Sequence, residues 1–237
     1  MRLSSTALVI LGALGVLVAL AVTDQVLPAA DTRTAELRPW IAARALGVTA
    51  YLLLGLEVAI GLFLSHPRNA AEWRKTKQTL PWHEMLTVFV GAFIALHVIL
   101  LAVDPWAKVG WIGALVPGMA EFRTVPVAIG SVAMYALILT AATAKWTRLL
   151  PSGWWLKAHR FAAVNFLLVW VHAVLVGTDS GALTPMYLGT GLPILAGIAH
   201  RWWTAKVRPQ RDIPALGAVI LPASRPAPAA VLVEESR

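Results

Sequence analysis

The sequence predicts an all-α, polytopic membrane protein: a bundle of six transmembrane helices. Three observations lead there. Of 237 residues, 58% are hydrophobic and 14% charged, with a mean hydropathy of +0.70, whereas a soluble domain is roughly a quarter charged. The apolar residues fall into six long blocks, each near the ~20 residues that cross a hydrocarbon core of ~30 Å. None of the blocks alternates like a barrel strand, and a helix satisfies its own backbone where lipid offers no partner.

The blocks run 6–23, 40–64, 83–103, 124–144, 160–177 and 183–203. The first follows only Arg2 and also reads as a signal peptide with a loosely cleavage-like Ala19–Thr23, which would leave five helices. The second carries Arg44 about one turn in and Glu57 deeper. The third and fifth each hold two histidines. The fifth is the shortest and gains length from Trp154 and Trp155 before it. After the sixth, residues 204–237 carry Pro209, Pro214, Pro222, Pro226 and Pro228 without apolar periodicity, so a disordered tail is expected. The chain thus divides into 1–39, the first helix and its loop; 40–203, the main bundle; and the tail, which is too short for a nucleotide-binding domain.

A net charge of +8 raises nucleic acid as a partner, but the positions of the charges argue for orientation. Of the 20 Lys and Arg, only Arg33, Arg38, Lys108 and Arg123 fall on one side, and Arg44 lies inside a block. The rest cluster at Arg2, in the 65–82 and 145–160 links and in the tail. By the positive-inside rule both termini are cytoplasmic, with the lipid bilayer as partner and no nucleic acid; a bacterial cytoplasmic membrane is the expected location. Of 11 Trp, only Trp170 sits deep in a block, and the rest read as interfacial anchors. Cysteine is absent, which excludes disulfides, thiolate metal sites and c-type haem attachment.

Histidine carries the chemistry. His66 and His200 lie at interfaces and read as ordinary polar residues. His83 and His97 share the third block, and His159 and His172 the fifth. Ionisable groups inside a membrane helix are costly and usually face the bundle interior. A separation of 14 residues spans ~21 Å of helix and returns within ~40° of the same face. The third and fifth helices start on the same side, so His83 meets His159 at the inner level and His97 meets His172 at the outer one. Two imidazoles from opposite directions suit six-coordinate haem iron, so the pattern predicts two b-type haems stacked across the membrane. Zinc or copper transport fits less well, because ligands ~20 Å apart along a helix cannot share one ion. His159 and His172 are 13 apart, which leaves them ~140° out of phase on a straight helix. A loose first turn after Pro151–Gly153, or a 3₁₀ or π irregularity, would correct that.

These separations on the third and fifth of six helices resemble the ferric reductase-like transmembrane domain family. That family includes the membrane parts of NADPH oxidases and ferric reductases, and the haem subunit of bacterial methionine-sulfoxide reductase systems. Ala43-Arg44-Ala45-Leu46-Gly47, His159-Arg160 and Gly177-Thr178-Asp179 add local similarity, and the resemblance covers about residues 40–203. It implies bis-histidine haem b and electron transfer from the inner to the outer face: His83 and His159 on the inner haem, His97 and His172 on the outer. Two haems are expected, or one if the phase mismatch confines ligation to a single pair. No flavin or NAD(P)H domain follows the last helix, so electrons would come from a separate reductase, another carrier or quinol, and pass to an outer-face acceptor.

Supporting residues have plainer alternatives. Arg44 either snorkels to headgroups or pairs with an outer-haem propionate, and Arg123 is a weaker candidate for the same role. Arg160 and Lys157 either orient the protein or serve inner propionates. Glu57 is protonated, packed against a helix, or near the inner haem. Glu84 is solvated, and Asp179 is an exposed turn residue or an acceptor-docking group. Gly55, Gly61, Gly91, Gly130 and Gly197 permit close approach of helices or macrocycle. No acid–base or nucleophilic catalysis is asked of any side chain. Two rival functions remain: a haem-free membrane scaffold, and a proton-coupled transporter using the intramembrane His and Glu57.

Overall fold

The structure, a computed structural model, describes residues 32–64, 70–151, 154–177 and 180–207, with positions 7, 10, 12 and 14 besides. Residues 65–69 with His66, Asp179, the tail beyond 207 and most of the 6–23 block, with its cleavage-like segment, lie outside the described residues. The chain divides into two units, Met1–His200 and Arg201–Arg237, and the architecture below is that of the first.

All regular structure among the described residues is helical: α1 (Thr32–Leu64), α2 (Ala70–Val103), α3 (Gly110–Leu115), α4 (Thr124–Lys145), α5 (Trp154–Val176) and α6 (Ser180–Val207). A 3₁₀ turn spans Thr147–Leu149. Five helices, all but the short α3, are long and apolar enough to cross a membrane. In the 6–23 block, Ala7, Ile10, Gly12 and Leu14 are helical, and a Cβ on Gly12 would touch Phe89 of α2 at 3.5 Å.

Four of the five spanning helices begin earlier than their apolar blocks, and α4 begins with its block at Thr124. Pro39 lies inside α1 and Pro81 inside α2, each just before the apolar block that starts at 40 or 83. Proline fixes a helical φ and removes one donor, yet α1 extends back to Thr32 and α2 to Ala70. Likewise α5 begins at Trp154 and is regular α-helix through Val176. His159 therefore sits in its second turn, and neither a loose first turn nor a helical irregularity resets its phase. The two histidines of α5 leave it on different faces and reach different neighbours.

Packing organises the spans as two antiparallel hairpins: α1 runs along α2, and α4 along α5. Helix α1 also touches α5. The core between them is aromatic. Tyr51 stacks on Phe166 with ring centroids 6.1 Å apart and meets Tyr187 of α6 edge-on at 5.3 Å. Thr190 donates to the Met186 carbonyl, so the 2.7 Å contact between Tyr51 and Thr190 uses the tyrosine hydroxyl as donor. Glycines bring α6 close: a Cβ at Gly55 would lie 3.1 Å from Ile194, and one at Gly197 would lie 3.2 Å from Leu62. At Gly191 it would overlap Trp170, the deep tryptophan, whose Nε1 donates to the Tyr187 carbonyl at 3.0 Å. Gly91, by contrast, faces open space.

Outward faces leave Ile138, Leu139 and Phe161 exposed, which suits a bundle whose surroundings are hydrocarbon. Most of the placed tryptophans, including Trp82, Trp106, Trp146 and Trp203, are exposed as well.

Residues 104–123 fold into a cap between α2 and α4. Asp104 Oδ1 accepts the Trp106 backbone N–H at 2.9 Å. Ser131 of α4 donates to the Ala114 carbonyl at 2.9 Å, and Phe122 meets Trp40 of α1 edge-on at 5.7 Å. The Arg123 guanidinium donates to the Leu175 carbonyl at 2.6 Å. It thereby reaches one of the last carbonyls of α5, where helix ends lack intrahelical donors.

Candidate functional site

Between the two hairpins, under the cap, lies a cavity of about 590 Å³, within the ~300–1,000 Å³ usual for small-molecule and cofactor sites. His97 of α2 and His172 of α5 both line it, together with Arg44 of α1 and a largely apolar wall that includes Val48, Ile94 and Leu137. The structure thus gathers three of the six residues expected at a cofactor, from three helices.

The two imidazoles are held alike. His97 Nδ1 lies 2.7 Å from the carbonyl oxygen of Ala43, and its ring rests on Gly47, where a Cβ would come within 2.8 Å of Cε1. His172 Nδ1 lies 2.8 Å from the carbonyl oxygen of Pro126, and its ring rests on Gly130, where a Cβ would come within 2.5 Å of Cε1. A carbonyl only accepts, so each Nδ1 carries the proton and each Nε2 keeps a lone pair.

His83 and His159 do not line this cavity. They meet each other, with ring centroids 6.0 Å apart and planes at 82°. His83 rests on Gly61 at 3.3 Å from the position a Cβ would take. The Glu57 main chain, four residues earlier, interacts with it. Even so, the Nδ1 atoms of both His83 and His159 are buried without a hydrogen-bond partner.

Glu57 is buried. Thr87, one turn beyond His83 on α2, donates to its Oε1, while Oε2 is buried without a partner. Asn165 of α5, buried between the levels of the two pairs, has neither amide atom partnered.

Other expectations fall elsewhere. Arg160 and Lys157 are exposed near the start of α5, and Lys157 lies over the Trp154 ring at 5.5 Å. Arg123 is engaged with the end of α5 rather than lining the cavity. Glu84 and His200 are exposed. Sequence reasoning passed over Gly47 as a contact residue, although Gly47 and Gly61 repeat the 14-residue separation of His83 and His97 on the facing helix.

Among the described residues no group of three His, Cys, Asp or Glu side chains is placed to hold a bare metal ion. No family model matches this chain, and no curated protein or solved structure matches it.

Proposed function

We propose that this protein is a membrane-embedded b-type cytochrome that carries electrons across the bilayer, the haem subunit of a ferric reductase-like oxidoreductase system. The observation that carries the reading is the cavity with His97 and His172 on its walls, each with Nδ1 engaged and Nε2 left as donor. A bare zinc or copper ion takes three or four protein ligands, and a pair of imidazoles leaves the rest to a macrocycle. The donor set and the apolar wall both fit haem b. Haem, when bound, supplies one-electron chemistry. The chain supplies two neutral imidazoles, a largely apolar enclosure, and in Arg44 a guanidinium able to pair with a propionate.

His83 and His159 are the ligand pair of a second haem. Their rings face each other from two helices with centroids 6.0 Å apart, so the two would hold the group together. With the termini cytoplasmic, electrons enter near His83 and His159 from a separate donor (a flavin reductase, quinol or another carrier) and leave near His97 and His172 to an acceptor at the outer face. Arg160, exposed beside His159, is the candidate for inner propionates.

The deciding experiment is the pyridine haemochrome content of protein purified after expression with haem supply, normalised to polypeptide. Two haems b per chain support both pairs, and one confines ligation to a single pair. None in well-folded protein overturns the reading. A second reading, a proton-coupled transporter, draws on the buried and half-partnered Glu57. It requires Glu57 for transport and tolerates loss of His97 or His172.

A further inference from the structure

We infer that Gly47 and Gly130 are positioning residues of the His97–His172 pair: each uncovers the main-chain carbonyl that fixes its histidine as the Nδ1–H tautomer with Nε2 as donor. The inference rests on the haem reading for what fills the cavity, but not for the tautomers themselves.

The carbonyl of residue i points towards the N–H of residue i+4, and a side chain at i+4 tilts back over the preceding turn and covers that oxygen. Glycine at i+4 leaves the oxygen open on its outer side. The same arrangement occurs twice here, on helices of different hairpins. Ala43 and Gly47 are four apart on α1, and His97 from α2 bonds the first and lies on the second. Pro126 and Gly130 are four apart on α4, and His172 from α5 does the same. The carbonyl already accepts one helical hydrogen bond, and its second lone pair takes the imidazole N–H.

The other two histidines act as internal controls. His83 has the glycine, Gly61, and the carbonyl of Glu57 four residues before it, but Nδ1 falls outside bonding geometry. His159 is not among the closest neighbours of any described glycine. Fourteen residues beyond Gly130, at the matching level of α4, stands Ala144, which keeps its Cβ. The carbonyl four before it, that of Thr140, accepts the Thr143 hydroxyl at 3.0 Å. Accordingly the His159 ring has no such tether and the His83 ring only a poorly aligned one, whereas both Nδ1 atoms of the His97–His172 pair sit in hydrogen-bonding geometry before anything binds. Such a tether orients a metal-bound imidazole and raises its basicity.

The test is nitrogen NMR of the full chain labelled with [15N]histidine, in nanodiscs and without added haem. Two imidazoles should read as the Nδ1–H tautomer with a hydrogen-bonded ring proton. Gly47→Ala should remove one signature and Gly130→Ala the other, and Gly91→Ala should leave both. Haem-loaded protein should show a changed axial-ligand EPR signature for one centre in Gly47→Ala and Gly130→Ala, but not in Gly91→Ala. Wild-type His97 and His172 found as Nε2–H, or averaging between tautomers, would overturn the inference even if haem binds. Fixed tautomers in a protein that takes up no haem would uphold it and overturn the cytochrome reading instead. Should an alanine variant fail to insert, the wild-type tautomers decide alone.

Discussion

Thr87 holds one oxygen of the Glu57 carboxyl group and leaves the other buried without a partner. The pair joins α1 to α2 about one turn from His83, so the hairpin that carries two of the four candidate ligands is fastened by a side-chain bond as well as by glycine packing. Removing the hydroxyl alone leaves the whole carboxyl group unsatisfied. That costs about 1–3 kcal/mol, whereas replacing both partners by apolar groups of similar shape is nearly neutral.

Thr87→Val should therefore destabilise the protein in detergent more than the double variant Glu57→Leu/Thr87→Val. Thermal unfolding followed by circular dichroism measures both. Equal loss in the two would mean that the bond carries little.

Gly191→Ala should destabilise, because the added Cβ overlaps Trp170 and dislodges its hydrogen bond to the Tyr187 carbonyl. Overpacking of this kind costs typically about 1–3 kcal/mol. Gly189, two residues away on α6 with nothing near its missing Cβ, is the matched control. Its alanine variant should unfold with the wild type.

Replacing Asn165 by leucine should leave cofactor-free protein as stable as before, or more so, since both amide atoms are unpartnered and a buried polar group without bonds is unfavourable. A lower unfolding temperature would reveal a partner for the amide.

His97→Ala and His172→Ala should each lower haem content by one per chain while the protein still inserts. Unchanged content in both variants would sink the assignment of that pair. On the haem reading, Arg44→Gln, at the wall of the same cavity, should weaken haem retention less than either histidine change, because it would remove only a propionate partner and spare both imidazoles. Haem retained after repeated dilution is the readout.

How far the sequence could be read depends on which force sets each feature. Apolar block length is set by bilayer thickness, so the spans after the first stood out, and their helices are where the hydropathy put them. Several of their N-terminal ends did not, because the first turns, at 32–39 and 70–82, are rich in polar residues and carry no hydropathy signal. The four histidines were visible as intramembrane polar groups, and their arrangement by level follows from counting residues. The face each leaves was less visible. His159 and His172 differ in phase and answer to different helices, α2 and α4; the 13-residue spacing marked the phase but not the neighbours. Gly47 had a mark, its spacing from Gly61, which becomes meaningful only once α1 is known to run antiparallel to α2. Asn165 gave no warning: its neighbours in sequence are apolar, and only its burial makes it unusual.

Each hairpin brings one histidine of the His97–His172 pair together with the glycine and carbonyl that hold it: Ala43, Gly47 and His97 in the first, Pro126, Gly130 and His172 in the second. During synthesis the first half-site is therefore complete before the second has left the ribosome. Each hairpin can then enter the membrane with the Nδ1–H of its His97 or His172 already paired. Closing the cavity then becomes a late docking step between two finished halves. Split after the cap, the chain should be able to reassemble from two separately expressed fragments.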